Sequence, residues 1–239
     1  MPRVHVLTNK MYADPARLSD VVAIVVDIIF ATTGIAIALE RGVTDIVPML
    51  DPEAARMHAS TLPPGSFVLA GEQDGAPIPG FTAPWPHLLL REDLSGKRLV
   101  YSTTNGTVAL NAAARASLVL ATSLVNAAAV VGYARARHEE RDIILICAGS
   151  GTSFSLEDFY GAGYLAALFA ESGTSFELSD AARAAQLLHN GAPARECVEN
   201  TYAGRMMAAH GLSADLRFCC QKSIFQSVPV FANGRITRA

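Results

Sequence analysis

Residues 21–39 read VVAIVVDIIFATTGIAIAL, and the fold turns on how that run is divided. Taken whole, it matches the roughly 19-residue window of a membrane-spanning helix. Two features oppose that reading. Asp27 lies near the middle, where a carboxylate in a bilayer is costly, and Ala31-Thr32-Thr33-Gly34 interrupts the apolar stretch. A strand over Val21–Val26, a turn at Asp27 and a helix from Thr32 to Glu40, stopped by Gly42, fit better. A continuous β-branched run without alternation is what a strand buried on both faces requires.

The same strand–loop–helix pattern continues outward. Asp45–Pro48 predicts a strand, followed by a helix opened by Asp51-Pro52 and running through Ser60. Phe67–Ala70 predicts a strand ending in Gly71-Glu72. Arg98–Tyr101, Leu118–Ala121 and Asp142–Cys147 predict further strands, each leading to a helix, the last from Leu156 to about Glu171. Asp180–His189 and Ala194–Ala209 read as helices, and strands near Leu216–Cys220 and Val228–Phe231 close the chain. The Gly75–Pro86 segment, with four prolines, reads as a loop. This alternation predicts a layered α/β/α fold with a mostly parallel or mixed sheet. A length of 239 residues suits one domain, or two intimate lobes.

Composition narrows the function. With 51% hydrophobic and 17% charged residues, the chain can build a core and is not disordered. Its 19 Lys and Arg against 22 Asp and Glu leave no electrostatic footprint for nucleic acid, and no basic run suits anionic lipid. The four cysteines form no C-x-x-C pair and the six histidines no H-x-x-x-H pair, which argues against a zinc site. No signal peptide is recognisable, so a cytoplasmic protein with reduced thiols is expected.

In an open α/β sheet, ligands bind where loops leave the carboxyl ends of strands. Four such loops are polar here: Asp27–Thr33, Gly71–Asp74, Ser102–Thr107 and Cys147–Asp158. A carboxylate ending an apolar strand must be paired, capping or metal-bound, since burying it bare is costly. Asp27 and Glu72 therefore read either as metal ligands or catalytic acids, or as acceptors for turn amides. Ser102, Thr103, Thr104, Asn105, Gly106 and Thr107 precede a helix and read either as an anion cradle or as an N-cap with its turn. Ser155 and Asp158 have capping-box spacing, which leaves Glu157 to face a site or solvent. Cys147 suits a buried small apolar residue, and Trp85 either lines a pocket or covers the core.

The succession VVD-x-x-x-ATT, GE with PI-x-GF downstream, STTNGT, and CAG with FSLED-x-x-x-AG resembles the 2-phosphosulfolactate phosphatase family along nearly the whole chain. The resemblance implies an α/β fold peculiar to that family and a Mg²⁺-dependent hydrolase. The implied reaction removes phosphate from 2-phospho-3-sulfolactate, a step on one route to coenzyme M. It implies Asp27, Glu72 and Glu157 as catalytic residues and Asp27, Glu72 and Asp158 as metal ligands. Thr32, Thr33 and each residue from Ser102 to Thr107 would bind a small anionic phosphate ester, and a homodimer is a family-level expectation. Four positions depart from the family pattern: Phe30 and Gln73 stand where arginines are usual, and Thr82 and Ser223 where aspartates are common. Neither Phe30 nor Gln73 can make the charge-assisted bidentate contacts that hold anions strongly. Lys222, Arg98 and Arg91 are the remaining candidate cations. Two alternatives follow: another, less anionic substrate contacting Phe30 and Trp85, or a non-catalytic ligand-binding protein on the same scaffold.

Overall fold

The computed structural model describes residues 1–171 and 176–239. The amino-terminal half runs β1 (Arg3–Leu7), β2 (Val22–Val26), α1 (Ala31–Glu40), β3 (Asp45–Met49), α2 (Pro52–Ser60), β4 (Phe67–Gln73), β5 (Ala76–Pro77), α3 (Pro86–Leu89), β6 (Arg98–Ser102) and α4 (Gly106–Ala112). The remainder runs β7 (Leu118–Thr122), α5 (Ala127–His138), β8 (Ile143–Cys147), α6 (Leu156–Glu171), β9 (Glu177–Leu178), α7 (Asp180–Gly191), α8 (Ala194–Glu199), α9 (Tyr202–Ala209), α10 (Ser213–Cys219), β10 (Pro229–Ala232) and β11 (Arg235–Arg238). The division of residues 21–39 holds: β2 is buried along its whole length and α1 buries everything before Glu40. Among the described residues no helix is long and apolar enough to cross a membrane.

One mixed sheet takes the order β5-β4-β6-β3-β11-β10-β7-β2-β8-β1-β9. It consists of two parallel blocks, β4-β6-β3 and β7-β2-β8-β1-β9, joined by the β10–β11 hairpin, which is antiparallel to β7 on one side and to β3 on the other. The hairpin turns on Asn233-Gly234, both at positive φ (51° and 73°), as a tight two-residue turn demands. Three antiparallel steps reverse strand direction between the blocks. Loops that follow strands of both blocks nonetheless line one cavity: Asp27, Gly149 and Glu157 come from one block, and Glu72, Thr104 and Asn105 from the other.

The two faces carry separate cores. Val22, Ile24 and Val26 meet Val130, Leu165 and Phe169 of α5 and α6 on one side. Ala23 and Val25 meet Ile35 of α1, Leu110 of α4 and Tyr101 of β6 on the other. A smaller third cluster joins Ile29 to Val198, Met207 and Leu216 and seats α8–α10 beside the carboxyl end of β2.

Some expectations give way. Leu216–Cys220, expected as a strand, lies in and just past helix α10. A short apolar run does not separate the two states by period, and the third core decides it. The expected helix over Ala194–Ala209 is two, because Thr201 caps α9: its hydroxyl donates to Val198 O at 2.9 Å and accepts from Gly204 N at 3.0 Å. The Gly75–Pro86 loop contains β5, a bridge from Thr82 to Ala70 and the start of α3. Strands β1, β9 and β11 were not expected from the sequence.

The joint between the hairpin and the β4-β6-β3 block is narrow, with Ile236 opposite Ile46 as its register pair. Nearby, Asp45 receives Arg98 Nε at 2.7 Å and Nη2 at 2.8 Å, with Arg235 Nη1 at 3.6 Å. Burial alone would raise the Asp45 pKa, but hydrogen bonds and charge from Arg98, with Arg235, outweigh it and hold the carboxyl below its ordinary value. A depressed carboxylate stabilises the fold above its unfolded pKa and loses that contribution as pH falls. Asp45→Asn is therefore expected to lower stability at pH 7 by roughly 1–2 kcal/mol. The gap from wild type should narrow progressively as pH falls below about 4. Urea titrations at pH 7 and pH 3 measure both.

Candidate active site

Asp27 leaves the end of β2 and is held by the turn that follows. Thr32 Oγ1 donates to Asp27 O at 2.6 Å and accepts from Asp27 N at 3.0 Å, while Thr33 Oγ1 donates to Ile28 O at 2.7 Å. Both hydroxyls are thus committed to the backbone and both residues are buried. The Asp27 carboxylate sits over the start of α1 and accepts Phe30 N at 3.3 Å. Burial, then the charges of Glu72 and Glu157, push its pKa up to about 7 against the backbone hydrogen bonds.

Glu72 occupies the matching place on β4. Its Oε1 accepts Thr104 N at 2.8 Å, and its Oε2 accepts Gly75 N at 2.7 Å and the Thr104 hydroxyl at 3.2 Å. Burial raises its pKa as well. Within the Ser102–Thr107 loop, Thr103 and Thr107 cap each other: Thr103 N reaches Thr107 Oγ1 and Thr107 N reaches Thr103 Oγ1, each at 3.1 Å. Ser102, Thr103 and Thr107 are buried, whereas Thr104 and Asn105 face the cavity. Gly106 allows the start of α4 to lie on Asp27; a Cβ there would overlap Ala31 Cβ and the Asp27 carboxylate.

The third wall begins at α6. Ser155 caps it, its hydroxyl accepting Asp158 N at 3.2 Å. Asp158 does not complete the capping box. Its Oδ1 accepts Ile28 N and its Oδ2 accepts Gly149 N, each at 3.0 Å, so it ties the loop after β2 to the loop after β8. Burial, then Asp27 and Glu157, raise its pKa. Glu157, one residue earlier, points to the cavity, and burial raises it too, opposed by its own backbone amide and the hydroxyls of Ser155 and Thr201. Cys147 is fully buried; desolvation lifts its thiol far above the ordinary value, and it packs as a small apolar group.

Two residues absent from the sequence-based candidates complete the frame. Asn9 Nδ2 donates to Ser153 O at 2.9 Å and to Gly151 O at 3.2 Å. Lys10 Nζ donates to Asn105 Oδ1 and Ala148 O, each at 2.8 Å, and to Gly151 O at 3.2 Å. Burial lowers the Lys10 pKa, and the charges of Asp27 and Asp158 counter it. The available signal was position: Lys10 is one of three lysines in the chain and follows a strand end.

These elements enclose a cavity of about 210 Å³. Asp27, Glu72, Asp74 and Glu157 supply its acidic wall, Thr104, Asn105 and the Gly149–Gly151 turn its polar wall, and Ile29, Phe30, Tyr202, Ala203 and Met206 its apolar wall. Asp158, Thr32, Thr33, Ser102, Thr103, Gly106 and Thr107 lie behind the lining. Of the four positions that depart from the family pattern, Phe30 alone faces the cavity. Gln73 is exposed, Thr82 donates to Glu92, and Ser223 meets Tyr164 and Ala128. Trp85 is buried against Phe30, ring centroids 5.5 Å apart.

A family model described as 2-phosphosulpholactate phosphatase matches residues 7–234. The chain belongs to the 2-phosphosulfolactate phosphatase family. That family is one of phosphoric monoester hydrolases. A protein of Symbiobacterium thermophilum named "Probable 2-phosphosulfolactate phosphatase" is 35% identical over 225 residues, covering 92% of this chain and 95% of that protein. Proteins of the same name from Clostridium perfringens (strain SM101) and Deinococcus radiodurans are 31% and 34% identical, covering 98% and 97% of this chain and 95% and 93% of theirs. Family membership thus spans every strand-end loop that meets at the cavity.

The Lys10 clamp is testable. Lys10→Met removes the donor to Ala148 O and leaves Gly151 O with only Asn9 Nδ2 and Asn105 Oδ1 with only Gly151 N, at an expected cost of roughly 1–3 kcal/mol. Amide exchange across residues 148–153 should quicken in the variant. Unchanged exchange there would show that the ammonium does not hold the loop.

Proposed function

We propose that this protein is a Mg²⁺-dependent phosphoric monoester hydrolase working in the Asp27–Glu72–Glu157 cavity. One observation carries the reading: three buried carboxylates share a small cavity whose lining, among the described residues, contains no arginine, lysine or histidine. Such groups do not ionise together without compensating positive charge, and each is accordingly pushed up. The described residues contain no cluster of three or more His, Cys, Asp and Glu side chains arranged to enclose a metal. Mg²⁺ asks for less: one or two carboxylates, with water and a substrate phosphate completing its octahedron. Asp27 and Glu72 would hold it. Asp158, which bridges Ile28 N and Gly149 N behind the cavity lining, takes a positioning role in this reading. When bound, Mg²⁺ supplies positive charge against the phosphoryl oxygens.

The chain's own groups divide the remaining work. Asn105 Nδ2 and the Ser150 hydroxyl at the polar wall donate to the phosphoryl oxygens. Glu157 accepts a proton from the attacking water and returns it to the leaving oxygen. A bond forms between the water oxygen and phosphorus, the ester P–O bond breaks, and an alcohol and inorganic phosphate leave. Thr32, Thr33, Ser102, Thr103 and Thr107 act by holding the loops that carry these groups. For 2-phosphosulfolactate, the substrate in the relatives' names, the products are 3-sulfolactate and phosphate.

Phosphate release from a panel of monoesters tests the reaction. Release should need Mg²⁺, stop with EDTA and resume when the metal is restored. Glu157→Gln is expected to lower kcat by about 10²–10⁴-fold. Added Mg²⁺ should raise the Tm of the wild type and not of Asp27→Asn. Equal release in EDTA would rule out the metal-dependent reading.

A further inference from the structure

We infer that the ester taken by this cavity carries no anionic group besides its phosphate, and that its organic part lies as an uncharged, largely apolar body against Phe30, Tyr202 and Met206. This rests on the reaction proposed above and narrows it to a substrate class.

Charge is the first argument. Asp27, Glu72, Asp74 and Glu157 already line the cavity, and a phosphate dianion adds to them. Each further sulfonate or carboxylate would need a cation of its own, because an unpaired charge withdrawn from water is costly. Among the described residues no arginine or lysine lines the cavity, and the cations on neighbouring elements are engaged or placed elsewhere. All three Lys10 donors go to Asn105, Ala148 and Gly151. Arg98 is bound to Asp45, and Arg205 on α9 is turned to Asn200 O. Lys222 lies over the Tyr164 ring at 4.9 Å, and Arg91 lines a separate groove beside Trp85.

The apolar wall is the second argument, and it is built. The Phe30 ring is fixed against buried Trp85. Tyr202 and Met206 are four residues apart on α9 and so share one face. The Met206 methyl group closes against Gly75, where a Cβ would overlap it. A thioether adapts to the shape of an apolar guest. Size is the third argument: about 210 Å³ is below the roughly 300–1,000 Å³ of pockets for drug-sized ligands, which points to a small ester rather than a nucleotide.

The test compares kcat/KM with saturating Mg²⁺ for sec-butyl phosphate, 2-phospholactate and 2-phosphosulfolactate. All are esters of secondary alcohols, and they carry none, one and two anionic groups besides the phosphate. The value should fall at least about tenfold with each added group. Phe30→Arg should raise the value for 2-phosphosulfolactate and lower it for sec-butyl phosphate. Tyr202→Arg, on the exposed lip of the cavity, should shift the ratio the same way if Phe30→Arg does not fold. Wild-type preference for 2-phosphosulfolactate would overturn this inference and leave the reaction standing. Failure of the folded wild type to cleave any of the three would overturn the reaction and the inference with it.

Discussion

Asp158 accepts Ile28 N on one carboxylate oxygen and Gly149 N on the other, and the site depends on that pair of bonds. They fasten the turn after β2 to the turn after β8, with the first turn of α6 between. Asp27 and Glu157 face one cavity because the segments carrying them are locked through this buried side chain. A carboxylate with no exposure left can persist there only while its lone pairs are met. Those amides are also unavailable to anything else, which separates Asp158 from its neighbour Glu157 despite their adjacency in the chain.

The other walls follow the same logic. Glu72 binds the Ser102–Thr107 loop through Thr104, and Lys10 binds Asn105 to the Ala148–Gly151 segment. Contributions from β1, β2, β4, β6 and β8 thereby become one rigid rim. These bonds hold the carboxylates in place although burial, joined at Asp27 by repulsion from Glu72 and Glu157, raises the pKa of each. Under the proposed reaction, carboxylates pushed up by burial and mutual repulsion would be relieved by a divalent cation. The apolar side, by contrast, belongs to α9 and Phe30 and rests on the small third core under Ile29. The acidic and apolar walls of the cavity therefore sit on different supports.

Much of this was legible. A carboxylate ending a wholly apolar strand, as at Asp27, marks a loop at the carboxyl edge of the sheet, and Glu72 repeats the signal. Asp51 and Ser155 announce their helices by capping chemistry. Less legible were elements whose identity rests on what covers them. The 216–220 segment is too short for its period to separate helix from strand. Asp158 had the spacing of a capping-box residue, yet its side chain crosses to a loop 130 residues away in sequence. Asn233-Gly234 carries a local hairpin signal, but which strands the hairpin joins is set by the sheet.

The sequence by itself determined the α/β class, the order of most elements and the residues that end the strands, because burial on both faces, capping and turn chemistry are local properties written in neighbouring residues. Only the tertiary structure decided which of those residues share a cavity. Lys10 meets Ala148 across 138 positions and Glu72 meets Thr104 across 32, through a sheet whose order and twist no local pattern encodes. The same holds for the departures from the family pattern: Phe30, Gln73, Thr82 and Ser223 look alike in the sequence, and the fold turns one of them toward the site and three away.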